Sequence, residues 1–190
     1  MYSIGILIYN GVEVLDFCGP YEVFRNLSNF NSDKQKINVF TIAETEEVVN
    51  AQGLRIIPDY SFANCPKLNI LLVPGGSGKW LMGYKPILEF IEKQFKEVEY
   101  LLSVCTGAMP LGVLGLLDNI EATTHHEFLE LLQETAPKSK IVSKRRFVDS
   151  GSIITGGGIS AGIDLSFHVV EKLWGKNMAD KIAIYMEYKK

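Results

Sequence analysis

Short runs of β-forming apolar residues alternate along this chain with longer stretches of helical periodicity. That order restricts the chain to a βαβ protein built on a mostly parallel sheet. Residues 3–9, 36–42, 69–73 and 99–104 read as strands, and 48–57 as a hairpin turning at Gln52-Gly53. Shorter strands are predicted at 122–124, 141–142, 147–148 and 153–155, with a turn at Asp149-Ser150-Gly151. Helical spacing is found over 16–27, 87–95, 106–117, 127–134, 161–174 and 177–188. Neither repeats nor low-complexity segments interrupt the pattern.

Composition narrows the partners. A length of 190 residues with 47% apolar content suits one compact domain over 1–190. A net charge of −3 gives no electrostatic reason to expect nucleic acid or an anionic membrane, and small neutral or weakly polar substrates fit better. The sequence opens directly on an apolar run without the basic flank or cleavage site of a signal peptide, and no apolar stretch approaches about 20 residues, so the expected location is cytoplasmic. Cys18, Cys65 and Cys105 are odd in number and widely spaced, which argues against a disulfide framework and against paired-cysteine metal or redox chemistry.

In an open parallel sheet, ligands bind beyond the carboxyl ends of the strands. Cys105 ends the run Leu101-Leu102-Ser103-Val104 and passes at once into small residues, as in a nucleophile elbow. There the next helix's first amides would stabilise a thiolate, lowering the thiol pKa from about 8.5, and hold developing negative charge. The alternative is an inert buried cysteine. The loop Pro74-Gly75-Gly76-Ser77-Gly78 can offer amides opposite Cys105, or be an ordinary tight turn; Gly156 to Gly158 reads as packing beneath the next helix. Asp16 opens the first helix, where it either caps the helix or faces the thiol as proton donor and acceptor. Glu22, further along, could point at the same cleft. His125, beside His126, could pair with the cysteine, although no third residue orients it. Asp164 reads as satisfying buried donors. Leu81, Met82 and Tyr84 either shape an apolar pocket or serve packing and dimer contacts.

Six segments resemble, in order and spacing, the ThiJ/PfpI superfamily: Leu15-Asp16-Phe17-Cys18-Gly19-Pro20-Tyr21-Glu22-Val23-Phe24, Val73-Pro74-Gly75-Gly76, Ser103-Val104-Cys105-Thr106-Gly107-Ala108, Gly115-Leu116-Leu117-Asp118, Ala122-Thr123-Thr124-His125 and Ser160-Ala161-Gly162-Ile163-Asp164-Leu165. Aspartate rather than glutamate at position 16, and threonine rather than histidine after the cysteine, make the chain similar to the isonitrile hydratase branch rather than to the peptidases. The resemblance implies a flavodoxin-like three-layer α/β/α sandwich, a homodimer, and neither metal nor organic cofactor. It assigns Cys105 as nucleophile and Asp16 as the acid in contact with it. Thr106 would lie beside the substrate, Gly76 would be a backbone donor facing the elbow, and His125 a neighbour of the site.

The implied reaction is hydration of an isonitrile to an N-substituted formamide through a cysteine thioimidate. Three other readings stand beside it: a glyoxalase- or deglycase-like enzyme acting on α-oxoaldehydes with His125 as base, a cysteine redox sensor, and a ligand-sensing module like the sensor half of AraC-type regulators. The last needs a C-terminal helix-turn-helix pair of roughly another hundred residues, which the sequence to Lys190 does not carry.

Overall fold

A computed structural model describes residues 1–31, 36–47, 49–76 and 81–189. Seven strands form the central sheet: β1 (Tyr2–Leu7), β2 (Ile37–Ala43), β5 (Tyr60–Ser61), β6 (Ile70–Val73), β7 (Tyr100–Val104), β10 (Phe147–Asp149) and β11 (Ile153–Gly156), in the order β10-β11-β7-β6-β1-β2-β5. All neighbours are parallel except β10 with β11. Outside it lie the hairpin β3 (Val49–Ala51) with β4 (Leu54–Ile56) and the parallel pair β8 (Glu121–Ala122) with β9 (Lys140–Ile141). Helices cover both faces, as a flavodoxin-like sandwich requires. They are α1 (Val14–Phe30), α2 (Lys85–Phe95), α3 (Ala108–Val113), α4 (Leu129–Thr135), α5 (Ala161–Trp174) and α6 (Lys176–Tyr185).

The central strands β1 and β6 are buried along their whole length, because crossover helices leave neither sheet face to water. Their side chains form one apolar cluster with Phe24, Leu27, Leu102, Leu165 and Val169. The hairpin turns at Gln52-Gly53 as its polar-glycine pair predicts, both residues adopting positive φ. The helix at 161–174 matches its expected bounds.

Three differences from the sequence reading have physical causes. The helix expected over 106–117 is a 3₁₀ turn, Cys105–Gly107, followed by only six α-helical residues. Pro110, Gly112 and Gly115 all lie in this segment, and Gly115 takes the left-handed conformation that ends a helix. Helix α1 begins two residues before Asp16, so Pro20 falls in its interior and offers no N–H to the Asp16 carbonyl. The edge strand β5 is two residues long, too short to leave a period-two pattern.

Strand order places the site. The chain leaves β1 toward β2 on one side and returns through β6 on the other, so β1 and β6 flank the topological switch point. The loops after them cross-link there: Val12 bridges Gly76, and Glu13 N–H donates to the Gly75 carbonyl at 2.9 Å. Strand β7, next to β6, delivers Cys105 to the same end of the sheet. Helices α1 and α5 close over it. A side chain on Gly162 would come within 3.1 Å of Pro20 Cγ and of Val104 Cγ2, so the helix crossing depends on glycine there.

Candidate active site

Cys105 has a left-handed backbone, φ 56°, directly after the extended Val104. A non-glycine residue rarely adopts that conformation, which turns the side chain sharply off the strand end. Two hydrogen bonds hold the strained turn: Cys105 N–H donates to the Gly157 carbonyl at 2.9 Å, and Thr124 Oγ1 donates to the Cys105 carbonyl at 2.7 Å. The side chain is 7% exposed.

Asp16 is fully buried, although helix α1 begins before it and gives it no capping role. Its Oδ2 accepts the Gly75 N–H at 2.9 Å. Its Oδ1 meets no partner at standard hydrogen-bond geometry, and the side chains that act on this carboxyl are those of Glu13 and Cys105. Burial pushes the Asp16 pKa up to about 7; the Gly75 amide, repulsion from Glu13 and the contact with Cys105 are smaller influences.

The thiol differs from the expectation of a lowered pKa. Burial and the Asp16 charge push it up to about 12, against the opposing pull of the backbone amides of Thr106 and Ile159 and of the Thr106 side chain. The turn after Cys105 contributes only three 3₁₀ residues and a six-residue helix, too little aligned dipole to offset desolvation and a neighbouring carboxylate. Cysteine and aspartate therefore form an interacting pair in which the carboxyl loses its proton first and its charge then holds the proton on the thiol.

Gly75, Gly76 and Thr106 interlock around this pair. A Cβ on Gly75 would lie 2.7 Å from both Thr106 N and Thr106 Oγ1 and 2.8 Å from Asp16 Oδ2. Gly76, at φ 138°, donates its N–H to Thr106 Oγ1 at 3.1 Å, and that hydroxyl lies 3.3 Å from the Gly76 carbonyl. Both glycine amides are thus committed to protein acceptors, Gly75 to the carboxyl and Gly76 to the threonine hydroxyl. The amides that reach the sulfur are those of Thr106 and Ile159.

His125 and Glu22 fall outside the groups that act on the sulfur. His125 Nδ1 accepts the Glu127 N–H at 3.3 Å, which caps the short 3₁₀ turn His126–Phe128, and its ring packs against Gly158. Glu22 is exposed and accepts from the Asn26 side chain at 3.0 Å one turn along α1. Asp164 is engaged by side chains, accepting from Arg146 Nε and from the Tyr188 hydroxyl, both at 2.6 Å. Leu81 is fully buried in the core and Met82 half-buried; Tyr84 donates to Glu44 at 2.6 Å and lines a separate hollow of about 120 Å³. Ser77 and Gly78 lie outside the described residues.

Two participants escaped the sequence reading. Tyr9, just past β1, is buried and donates its hydroxyl to the Pro74 carbonyl at 3.1 Å, supporting the glycine loop from below. Ile159 is a β-branched residue at φ 44°, a strained backbone that turns its amide toward the sulfur. The run Gly156-Gly157-Gly158 signals it: glycine at 157 and 158 lets the backbone come close to Arg145 and His125. Packing alone was the expected role of that run, and Gly156, 3.1 Å from Leu165, does serve it.

The pattern of the DJ-1/PfpI family matches residues 2–172. The chain is 36% identical to the isonitrile hydratase of Pseudomonas putida over 188 residues, which cover 98% of this chain and 78% of that protein. It is 25% identical over 189 residues to the HTH-type transcriptional regulator GbdR of Pseudomonas aeruginosa, covering 99% of this chain but only 51% of the regulator. Among solved structures, a ThiJ/PfpI family protein from Pseudomonas syringae superposes with a TM-score of 0.89 at 28% identity, covering all of this chain and 76% of that one. No described helix is long and apolar enough to cross a membrane.

Proposed function

Since the chain belongs to the DJ-1/PfpI family, we propose that it hydrates an isonitrile to an N-substituted formamide, with Cys105 as nucleophile and Asp16 as proton donor and acceptor. The observation that carries this reading is the fully buried Asp16 carboxyl, which the Cys105 thiol contacts and which burial pushes up to a pKa of about 7. A group poised near neutrality can both give and take a proton at working pH.

The terminal carbon of R–N≡C accepts a nucleophile and a proton at the same atom. In the proposed sequence Asp16 takes the thiol proton, the thiolate forms the C–S bond, and Asp16 returns the proton to that carbon, giving the thioimidate R–N=CH–S–Cys105. Water then adds to the C=N carbon, losing one proton to the Asp16 carboxylate, which passes that proton to the nitrogen. Collapse breaks the C–S bond, releases R–NH–CHO and restores the thiol, so the net change is addition of one water. The Thr106 and Ile159 amides support the sulfur while it carries charge.

A thiol pushed up to about 12 is a poor peroxide target, since oxidation follows thiolate character; this weighs against the redox-sensor reading. The hydratase reading is tested with cyclohexyl isocyanide, following formamide release with Cys105→Ala alongside. Formamide that depends on Cys105 is the expected result. No product from folded protein with several isonitriles overturns it and puts α-oxoaldehydes first, with lactate from methylglyoxal as the readout.

A further inference from the structure

Beside the elbow lies a cleft of about 510 Å³ between the loop after β11, the β8–α4 connection and the segment before β10. It opens from the same residues that hold the nucleophile: Thr124, which donates to the Cys105 carbonyl, and Ile159, whose amide faces the sulfur, both line it. Its charge is one-sided. Lys144, Arg145 and Arg146 form part of the wall with His125 and His126, and among the described residues no aspartate or glutamate lines it, on a chain whose net charge is −3.

The three cations are not equivalent. Arg146 is held by Asp164 at 2.5 Å and by Ser160 Oγ at 3.1 Å. Lys144 and Arg145 are exposed and make no hydrogen bond or ion pair among the described residues. Glu121, the carboxylate that feels Arg145, is itself engaged by Lys140 at 2.5 Å. Lys144 moreover has a left-handed backbone, φ 57°, at the bend that leads into Arg145. Two cations on one wall, neither ion-paired among the described residues and only Arg145 within the field of an acid that Lys140 already engages, favour an anion from outside.

We infer that this cleft receives the far end of the substrate and that the substrate is an isonitrile carrying a carboxylate, its isocyano carbon at Cys105 and its carboxylate against Lys144 and Arg145. This rests on the reading of Cys105 as the isonitrile-attacking nucleophile. Arginine can grip a carboxylate through two parallel hydrogen bonds, while lysine adds a point charge. A neutral ester of the same shape would forgo both contacts.

The test compares isocyanoacetate and 4-isocyanobutanoate with their methyl esters, measuring kcat/KM for formamide release. At least one carboxylate is expected to exceed its ester by about tenfold, the ratio that 1.4 kcal/mol represents. The ratio should fall to about one in Lys144→Ala/Arg145→Ala and survive in Arg145→Lys. Esters that match or exceed both carboxylates, or a preference that persists in the double variant, overturn the inference. Should cyclohexyl isocyanide be turned over and none of the four, the inference is overturned; should no isonitrile be turned over, it is the hydratase reading that fails, and calorimetric binding to Cys105→Ala protein decides the anion site separately. Tighter binding of a carboxylate than its ester, lost in the double variant with unchanged melting temperature, upholds it; equal or absent binding overturns it.

Discussion

The buried pair at Cys105 and Asp16 and the basic wall at Lys144 and Arg145 lie on either side of one loop, and they work by opposite electrostatics. Water is excluded from the pair, so a carboxyl and a thiol both resist ionisation and each shifts the other's titration. The wall is exposed, and its charges act at reduced strength through water and salt. Desolvation makes the chemistry and leaves no tolerance for displaced atoms; exposed charge selects the ligand and tolerates change.

The comparison breaks first, and most severely, at the pair. Cys105→Ala should abolish isonitrile turnover, and residual Cys105-independent formamide would remove the covalent route. Asp16→Asn should lower turnover about 10²–10⁴-fold, the range of a general acid–base residue. It should also stabilise the fold at pH 8. The Asp16 carboxyl ionises near 3.8 when unfolded and near 7 when folded, so the unfolded chain releases its proton first and stability is lost as pH rises between those values. Asparagine can still accept the Gly75 N–H, and the gain at pH 8 is bounded at about 4 kcal/mol. Urea melts at pH 4 and pH 8 read this directly; a variant less stable than wild type at both would mean that the carboxyl is not held neutral.

Next in size is Gly75→Ala. Its methyl would press on Thr106 N, Thr106 Oγ1 and Asp16 Oδ2 together, with a loss of about 10²-fold in kcat from displacement on the order of 1 Å and about 1–3 kcal/mol of stability. Wild-type kcat/KM should rise with pH through an inflection near 7 as the pair loses its first proton, and that inflection should vanish in Asp16→Asn. The smallest effect belongs to the wall: at about 1 M salt the preference for a carboxylate should shrink a few-fold while the inflection near 7 stays in place. If salt moved the inflection as much as the preference, the two regions would not be electrically distinct.

Much of this was legible in the chain because the signals are local. Apolar runs at 3–9, 69–73 and 99–104 lie in buried parallel strands, and an alternating βα order admits few other layouts. Cys105, Asp16 and Gly75 stood out as chemistry-bearing or glycine residues just past strand ends, and the fold brings all three together. His125 satisfied the same rule of position, and Glu22 was read further along the helix of Asp16; in the fold a capping hydrogen bond engages the one and an exposed helix face carries the other. Ile159 left no signal of its own, because its contribution is a backbone N–H that any residue type would carry. The cations at 144–146 belong to none of the motifs read from the sequence, and only the fold places a cleft beside them.

By itself the sequence determined most of the strand and helix inventory, the parallel sheet and the candidacy of the cysteine and aspartate, since these depend on periodicity and on residues adjacent in the chain. Tertiary structure alone decided the protonation of the pair, the capture of both glycine amides and the one-signed charge of the cleft. Each of those is set by groups distant in sequence that share a region from which water is excluded or a wall from which acids are absent, and pKa and charge complementarity answer to such surroundings rather than to neighbours in the chain.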